Sequence, residues 1–309
     1  MKAPRDVFGE TITAISDDYP NLVVLCADLA AATKAGVFAV QHPEKYLNVG
    51  ICEQNMMSVA AGLASEGFIV CASTFAVFAA GRAFDQVRQS IAFDSYNVKI
   101  AATHPGLAVG ADGAIHQCLE DIALMRSIPN MTVLCPSDEI STAEAVKTAL
   151  QTPGPVYIRI GRAELPKLYT TPFRFEVGRS YVLREGRDIT LAACGIMTYR
   201  ALLLADKLAQ KNIFCEVLDC SSIKPFDTKT LIQSAKKTGC VMTVEDHSRF
   251  GGLGSCVAEV LAEQYPVPLK IIGTNDCFGE SGDRETLFDA YGFGFDDLTA
   301  QVEALIKKK

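Results

Sequence analysis

The sequence contains no tryptophan, only four histidines, and no two cysteines in C-x-x-C spacing. Its eleven cysteines are scattered and odd in number, which disfavours a zinc site or a disulfide framework and indicates small buried side chains in a reducing compartment. The longest apolar stretch, FIVCASTFAVFAAG, is too short and too interrupted to cross a bilayer. The segment MKAPRDVFGE at the start has no apolar leader character. These absences together predict a soluble, cytoplasmic protein.

Dense runs of positive charge are also missing. The net charge is −7, and the short basic runs KKTGC and IKKK are typical of solvated helix ends, so a nucleic-acid-binding surface is disfavoured. With 309 residues, 49% of them apolar and 21% charged, the chain is long enough to form two domains with their own cores. This composition is typical of a well-packed enzyme.

Short apolar runs alternate with helical patterns along the first half of the chain. Each run is almost continuously apolar, as in strands of a parallel sheet that is covered on both faces. The predicted strands are NLVVLCAD, YLNVG, FIVCASTF, NVKIAAT, MTVLCPS and PVYIRI, and the helical segments include DVFGETITAISDDYP, EQNMMSVAAGLASEG and DEISTAEAVKTALQT. The alternation predicts an α/β fold with an open, mostly parallel sheet.

A turn-rich, charged segment, TTPFRFEVGRSYVLREGRD, then interrupts the alternation. A second α/β series follows, with DITLAAC, IFCEVLD, CVMTVED and PLKIIG as its predicted strands. We therefore predict a first domain at residues 1–168, a linker at residues 169–185 and a smaller α/β domain at residues 186–309.

Five residues of the first domain lie at or just after the end of a predicted strand. In open α/β sheets, ligands bind beyond the carboxyl ends of the strands. Polar residues at strand ends can also serve solubility alone, but their shared position predicts that they converge on one site. They are Asp28, Glu53, Phe75, His104 and Arg162.

Glu53 is the single acid in the otherwise apolar or small stretch NVGICEQNMMSVAAG. An acid in the first turn of a helix is favoured by the helix dipole and needs no further role. The functional alternative is an acid in an apolar pocket, where it can share a proton with a ligand. This stretch by itself leaves both alternatives open.

The segment STFAVFAAGRAFDQVR contains Phe75 and Phe78 three residues apart. Such spacing is typical of the core-facing stripe of a helix. However, Phe75 closes an apolar strand, and the small residues 79–81 leave room beside the rings. A flat heteroaromatic ligand stacked on one or both rings is the alternative hypothesis.

The loop THPGLAVGADGAIHQCLED holds His104, Asp112 and His116. Its glycines and proline predict a structured loop, with His116 at the start of a helix HQCLEDIALMR. The histidine spacing does not match a zinc signature, so these side chains are predicted to hydrogen-bond a polyhydroxylated or phosphorylated substrate.

Two arginines follow in PVYIRIGRAELP. Arg159 lies within the predicted strand and is most simply a structural ion-pair or surface residue. Arg162 comes after the strand and a glycine, where it is free to bind an anion.

Three of these segments, GICEQNMM, TFAVFAAGRAFDQVR and THPGLAVGADGAIHQ, resemble in order the transketolase family. They resemble its motif around the acid that acts on thiamine diphosphate, its aromatic segment that packs on the cofactor's pyrimidine ring, and its substrate loop. The resemblance covers nearly the whole chain, but only the pyrimidine-binding and C-terminal domains of the family. The GDG…N signature of the half that binds the diphosphate through Mg²⁺ is missing.

The resemblance implies the C-terminal subunit of a split transketolase. Such a subunit would transfer a two-carbon ketol unit from a ketose to an aldose. It would need an N-terminal partner subunit that carries the ligands for the diphosphate and Mg²⁺, and we expect a heterotetramer with two copies of each subunit.

The resemblance also implies roles for individual residues. Glu53 would hydrogen-bond a pyrimidine ring nitrogen and favour its imino tautomer, while Phe75 and Phe78 would stack on the ring. Asp28 would lie near the cofactor or the substrate channel, and His116 would take part in catalysis. The residues expected to orient sugar hydroxyls and a terminal anion are His104, Asp112, His116, Arg162 and Arg5.

Three positions depart from the family pattern. Ala111 stands where many transketolases carry an acid, Ala32 replaces a serine that often contributes to phosphate binding, and Gly81 replaces a tyrosine of the longer transketolases. We therefore predict an unusual ketose donor, for example a sulfonated or otherwise modified sugar.

Other functions share parts of this pattern. The β subunit of a 2-oxoacid dehydrogenase has the same architecture and lacks the diphosphate half, but the loop with His104, Asp112 and His116 argues against it. The segments GADG and PSDE resemble deoxyxylulose-phosphate synthase, which would need pyruvate. A regulatory or assembly subunit with an inactive site is the non-enzyme alternative, and it predicts loss of Glu53 or of the aromatic pair.

Overall fold

The computed structural model describes all 309 residues, which form twelve strands and twelve α-helices. The strands are β1 (Leu22–Cys26), β2 (Tyr46–Asn48), β3 (Ile69–Phe75), β4 (Val98–Thr103), β5 (Thr132–Leu134), β6 (Val156–Ile160), β7 (Tyr181–Arg184), β8 (Ile189–Ala193), β9 (Cys215–Asp219), β10 (Ser222–Lys224), β11 (Val241–Ser248) and β12 (Leu269–Thr274). The helices are α1 (Pro4–Ala14), α2 (Ala30–Thr33), α3 (Ala35–Gln41), α4 (Glu53–Ser65), α5 (Phe84–Gln86), α6 (Asp121–Ser127), α7 (Glu139–Gln151), α8 (Ile196–Ala209), α9 (Thr228–Thr238), α10 (Leu253–Gln264), α11 (Arg284–Phe288) and α12 (Phe295–Ile306). Short 3₁₀ helices lie at Ser16–Asp18, Pro43–Lys45 and Leu107–Asp112, and π-helical segments at Val77–Arg82, Val87–Ala92 and Asp289–Phe293.

The first sheet has seven strands in the order β10-β5-β6-β4-β3-β1-β2. All of them are parallel except β10, which runs antiparallel to β5. The central strands are buried on both faces because helices cover both sides of the sheet. All six strands predicted for this half, and the mostly parallel α/β class, are confirmed.

The second sheet has five strands in the order β12-β11-β8-β9-β7. Its four predicted strands are confirmed, and the fifth, β7, lies inside the segment predicted as a linker. β7 is a partly exposed antiparallel edge strand next to β9, so it lacks the apolar run that marks the inner strands.

The two halves of the chain are tightly joined. β10 belongs by sequence to the second half, yet it completes the edge of the first sheet. One apolar cluster also crosses between the halves, with Ile122 and Met125 of α6 in the same core as Val257 and Leu261 of α10. Apolar surface is therefore buried between the halves as well as within them. No helix in the structure is both long enough and apolar enough to cross a membrane.

The first sheet reverses its winding direction beside β1. The chain passes from β1 to β2 on one side and then returns to form β3 on the other side of β1. The crevice at such a reversal, beyond the carboxyl ends of the strands, is the usual ligand site of an open α/β sheet. Helix α4 connects β2 to β3 and begins at this edge with Glu53.

Candidate functional site

The site residues converge at the carboxyl edge of the first sheet. Asp28 follows β1, Phe75 ends β3, His104 follows β4 and Arg162 follows β6. Because β1, β3, β4 and β6 are parallel, their carboxyl ends meet at one edge. The predicted positions of these residues relative to the strand ends are confirmed.

Glu53 is the first residue of α4, and its side chain is only 1% exposed. Met56 and Met57, one turn further on, bury the same helix against the apolar core. The carboxylate Oε2 accepts a hydrogen bond from Nη1 of Arg82 at 2.6 Å. Glu53 is therefore both the first-turn acid and the buried acid that the sequence left as alternatives.

Arg82 is a residue that the sequence analysis did not single out. Its guanidinium lies over the ring of Phe78, with Cζ 4.2 Å from the ring centroid, while it pairs with Glu53. The spacing of four residues between Phe78 and Arg82 was the available signal. A helix places such residues one above the other, and the π-helical turn Val77–Arg82 preserves their contact.

Phe75 and Phe78 form a stacked pair with ring centroids 5.8 Å apart and planes inclined by 15°. Ala79 and Ala80 behind them are fully buried, so the pair rests on the core with little bulk beside it. The ring of His116 meets the edges of both phenylalanines, at centroid distances of 5.8 and 6.0 Å. The arrangement offers aromatic surface to a flat ligand.

His104 packs on the same aromatic pair and is almost completely buried. Its ring centroid is 3.9 Å from that of Phe75, its Nε2 lies 3.1 Å from Nη1 of Arg5, and its Nδ1 lies 2.9 Å from Oγ1 of Thr103. Because a guanidinium only donates, Nε2 is the acceptor and Nδ1 carries the proton. Burial, and after it the charges of Arg5 and Arg162, lower the pKa of His104 to about 3. His104 is therefore neutral near pH 7.

Two arginines make this end of the site electropositive. Arg162 pairs with Oδ2 of Asp112 at 2.9 Å and donates to the carbonyl oxygen of Val109 at 2.6 Å. Arg5 donates to the carbonyl oxygen of Ala32 at 3.3 Å, while its Nε is buried without a hydrogen-bond partner. A buried donor with no partner is costly, so an acceptor from an anionic ligand would be stabilising there.

The loop between His104 and Cys118 is held by the second half of the chain. The buried carboxylate of Asp246 in β11 accepts hydrogen bonds from the backbone N–H of Leu107 at 2.8 Å and of Ala108 at 3.1 Å. Burial raises the pKa of Asp246, and Arg159 and these N–H donors oppose that rise. Gly106 permits this approach because it has φ +75°, and an added Cβ would lie 2.2 Å from Oδ2 of Asp246.

The predicted helix start at His116 is wrong, because α6 begins five residues later at Asp121. The backbone N–H of Gly106 donates to the carbonyl oxygen of Cys118, and Pro105 forms a bridge with Cys118. This pairing keeps the chain extended near Cys118, so a helix cannot begin before it. His116 consequently lies in the loop, facing the rings, with Nδ1 3.4 Å from the carbonyl oxygen of Asp112.

Asp121 and Arg159 form a buried support below the loop. Nε of Arg159 donates to both carboxylate oxygens of Asp121, at 2.8 and 3.1 Å, and the Tyr157 hydroxyl donates to the same group at 2.9 Å. Nη2 of Arg159 also donates to the carbonyl oxygen of Asp246 at 2.8 Å. Of the two alternatives predicted for Arg159, the structural ion pair is confirmed and the surface position is wrong, because the side chain is only 4% exposed.

Asp28 lies at the same edge but beside β2 rather than in the ring cluster. It is exposed with φ +59°, its backbone N–H donates to Oδ1 of Asn48 at 3.0 Å, and its carboxylate accepts from Nδ2 of Asn48 at 3.3 Å. No group of three or more histidine, cysteine or carboxylate side chains in the chain is arranged to hold a metal ion.

Comparison with known proteins divides the chain into two matched regions. Residues 1–167 match the family model described as "Transketolase, pyrimidine binding domain", and residues 178–298 match "Transketolase, C-terminal domain". A putative transketolase C-terminal section from Methanocaldococcus jannaschii is 42% identical over 100% of this chain and 98% of its own length. A 6-deoxy-6-sulfo-D-fructose transketolase subunit from a Clostridium species is 39% identical over 99% of this chain and 95% of its own length. Among solved structures, a split gene transketolase in an inactive β4 tetramer superposes with a TM-score of 0.94, at 48% identity over the full length of both chains.

Proposed function

We infer the function of this chain from one premise: it belongs to the transketolase family and carries that family's pyrimidine-binding and C-terminal domains. We propose that it is the C-terminal subunit of a split transketolase, which transfers a two-carbon ketol unit from a ketose to an aldose with thiamine diphosphate. The observation that carries this proposal is the buried Glu53 carboxylate beside the stacked pair of Phe75 and Phe78.

The residues of the chain fit one end of the cofactor. An acid and an aromatic stack suit an aminopyrimidine, which offers a hydrogen-bonding edge and a flat face. The chain has no group of side chains arranged for Mg²⁺, so we assign the metal and the diphosphate to an N-terminal partner subunit. When bound, thiamine diphosphate would supply the nucleophilic carbon that carries the two-carbon unit.

The roles of this chain's side chains follow from their positions. Glu53, at the start of α4, would hold a proton at a pyrimidine ring nitrogen, and Phe75 and Phe78 would hold the ring plane. His116 lies against both rings and is the side chain we propose for proton transfer near the reacting atoms. Asp28, at the neighbouring strand end, would lie along the channel toward the cofactor.

The polar end of the site would receive the sugar. His104 is neutral, with Nδ1 donating to Thr103 and Nε2 accepting from Arg5, so Nε2 would accept from a sugar hydroxyl once Arg5 turns to the anion. Asp112, which pairs with Arg162, accepts through its carboxylate. Arg5 and Arg162 would bind a terminal anion on the sugar. We propose an anionic ketose as donor, and a sulfonated ketose in particular. This choice is supported by Ala111 and Ala32 at the altered positions and by a close relative named for 6-deoxy-6-sulfo-D-fructose.

We propose a heterotetramer with two copies of each subunit in the cytoplasm. Exposed apolar side chains near the site support a partner there: Ile51 and Ile115 are 73% and 76% exposed, and Phe278 is 87% exposed. The similar split transketolase chain is described as an inactive β4 tetramer, which supports the expectation that this chain alone is inactive. Eleven unpaired cysteines, nine of them buried, support a reducing compartment.

The test is ketol transfer by this chain co-expressed with an N-terminal transketolase subunit, using phosphorylated and sulfonated ketoses as donors. The Glu53→Gln variant should lose about 10²- to 10⁴-fold in rate, the usual range for a positioned acid or base. The matched control is Glu66→Gln, at the exposed end of the same helix, which should keep full activity. Activity only with a 2-oxo acid would overturn the reaction but not the fold, and xylulose 5-phosphate as the best donor by a wide margin would overturn the sulfonated donor.

A further inference from the structure

Arg82 makes two contacts at the pyrimidine end of the site, and both use groups that a ligand would need. Its Nη1 donates to Oε2 of Glu53 at 2.6 Å, and its guanidinium covers the ring of Phe78 with Cζ 4.2 Å from the centroid. The Glu53 carboxylate has no other hydrogen-bond partner, and Phe75 already packs against Phe78. One side chain therefore occupies both the acid and the free aromatic surface.

The chemistry of a guanidinium resembles that of an aminopyrimidine at these contacts. Both are planar and delocalised, and both can stack on an aromatic face. Both also place a nitrogen against the carboxyl group: the guanidinium donates an N–H to it, and the pyrimidine ring nitrogen would share its proton. A neutral hydrocarbon side chain would satisfy only the contact with the ring, and a lysine would supply the charge without the planar, delocalised surface. Arg82 thus contacts the same two groups, the Glu53 carboxylate and the Phe78 ring, that the pyrimidine ring would contact under the proposed function.

We propose that Arg82 is a built-in placeholder for the pyrimidine ring, which pairs with Glu53 until the ring binds and then moves out toward solvent. This inference rests on the proposed function. The Arg82 side chain is 46% exposed and can therefore move into water, whereas the Glu53 side chain is 1% exposed and cannot. A buried carboxylate without a partner strongly destabilises a fold, so the placeholder would protect the free subunit before assembly.

The placeholder predicts two effects of opposite sign for the Arg82→Met variant, which keeps an apolar stem but no donor. The isolated chain should unfold at a lower temperature, because Glu53 is left buried and unpaired. The assembled complex should bind thiamine diphosphate about 5- to 30-fold more tightly, because the ring no longer competes with the half-buried Arg82–Glu53 ion pair and the cation–π contact.

The experiment is isothermal titration calorimetry of thiamine diphosphate, with Mg²⁺ present, into complexes of the partner subunit with wild-type, Arg82→Met or Arg88→Met chain. Arg88 is an exposed arginine on the next turn with no ion pair, so its variant removes the same charge and should bind like wild type. The Arg82→Lys variant keeps the positive charge but not the planar guanidinium, and it should bind thiamine diphosphate with an intermediate affinity. It keeps the proposal testable if the Arg82→Met variant does not fold.

The outcomes distinguish failure of the placeholder role of Arg82 from failure of the proposed function. Tighter binding by Arg82→Met together with a lower unfolding temperature of the isolated chain supports the placeholder. Unchanged or weaker binding overturns it and assigns Arg82 to holding Glu53 while the ring is bound. Failure of the wild-type complex to bind thiamine diphosphate overturns the proposed function, and the placeholder with it.

Discussion

Removal of Asp121 should destabilise the first half of the chain more than any exposed acid would. Its carboxylate is fully buried and holds Arg159 through two bonds at 2.8 and 3.1 Å, together with the Tyr157 hydroxyl at 2.9 Å. The Asp121→Ala variant would leave the Arg159 guanidinium, only 4% exposed, without its counter-charge. Breaking a buried pair on one side costs about 3 to 5 kcal/mol in the free energy of unfolding.

The assay is equilibrium unfolding in urea, followed by far-ultraviolet circular dichroism because the chain has no tryptophan. With a denaturant slope of about 3 kcal/mol per molar, this loss should lower the urea midpoint by about 1 to 1.7 M. The matched control is Glu259→Ala, which breaks an acid–arginine pair with Arg126 at the surface, where the acid is 59% exposed. That variant should cost less than about 1 kcal/mol.

A second variant separates the lost charge pair from lost packing. Replacing both partners, as Asp121→Leu with Arg159→Met, should be less destabilising than Asp121→Ala alone, because no buried charge is then left unpaired. If Asp121→Ala lowers stability no more than Glu259→Ala does, the pair is not the buried support described above. If the double variant is the less stable of the two, the hydrogen bonds of Arg159 to the second half matter more than the charge.

Two further changes test the loop and its histidine. Gly106→Ala should lower the unfolding temperature by several degrees, because the residue has φ +75° and the added Cβ would lie 2.2 Å from the Asp246 carboxylate. The control is Gly62→Ala within α4, which has nothing near its Cβ and should be neutral or stabilising. Equal effects of the two variants would contradict the anchoring of the loop by Asp246. The pKa of His104, about 3 in the fold against about 6.5 unfolded, means that the unfolded chain binds the extra proton as pH falls between these values. Stability conferred by the neutral ring is therefore complete above pH 6.5 and falls by at most ~1.4 kcal/mol per pH unit below it. The His104→Gln variant should flatten the dependence of the urea midpoint on pH between pH 6.5 and 4. Identical profiles for the variant and the wild type would refute the neutral histidine.

Local sequence pattern determined the strands of the first sheet and the edge at which the site lies. Val24, Ile100 and Ile158 belong to runs that are apolar on both faces, and such runs are stable only as inner strands of a covered parallel sheet. Once the strands are parallel, residues that follow them must lie at one edge. This is why Phe75, His104 and Arg162 could be assigned to one site before any distance was known.

The elements that the sequence analysis missed depend on partners far along the chain. β10 is three residues long and becomes a strand only because β5 presents an open edge to it. The start of α6 is delayed by the pairing of Cys118 with Pro105 and Gly106. Hydrophobic periodicity carries no such information, because it describes one segment and not the segment with which that one pairs.

Glu53 has one property that the sequence determined and others that only the tertiary structure decided. Its place in the first turn of a helix followed from the sequence, since the acid precedes an apolar run of helical spacing. Its burial and its pairing with Arg82 were decided only by the tertiary structure, and so was the hydrogen bonding of the loop backbone to Asp246. The sequence alone determined which residues lie at the carboxyl edge, because that depends on chain direction and on where each strand ends. Which of them touch was decided by packing, because hydrogen bonds and ion pairs between residues far apart in sequence form only when the sheet order and the two halves bring them together.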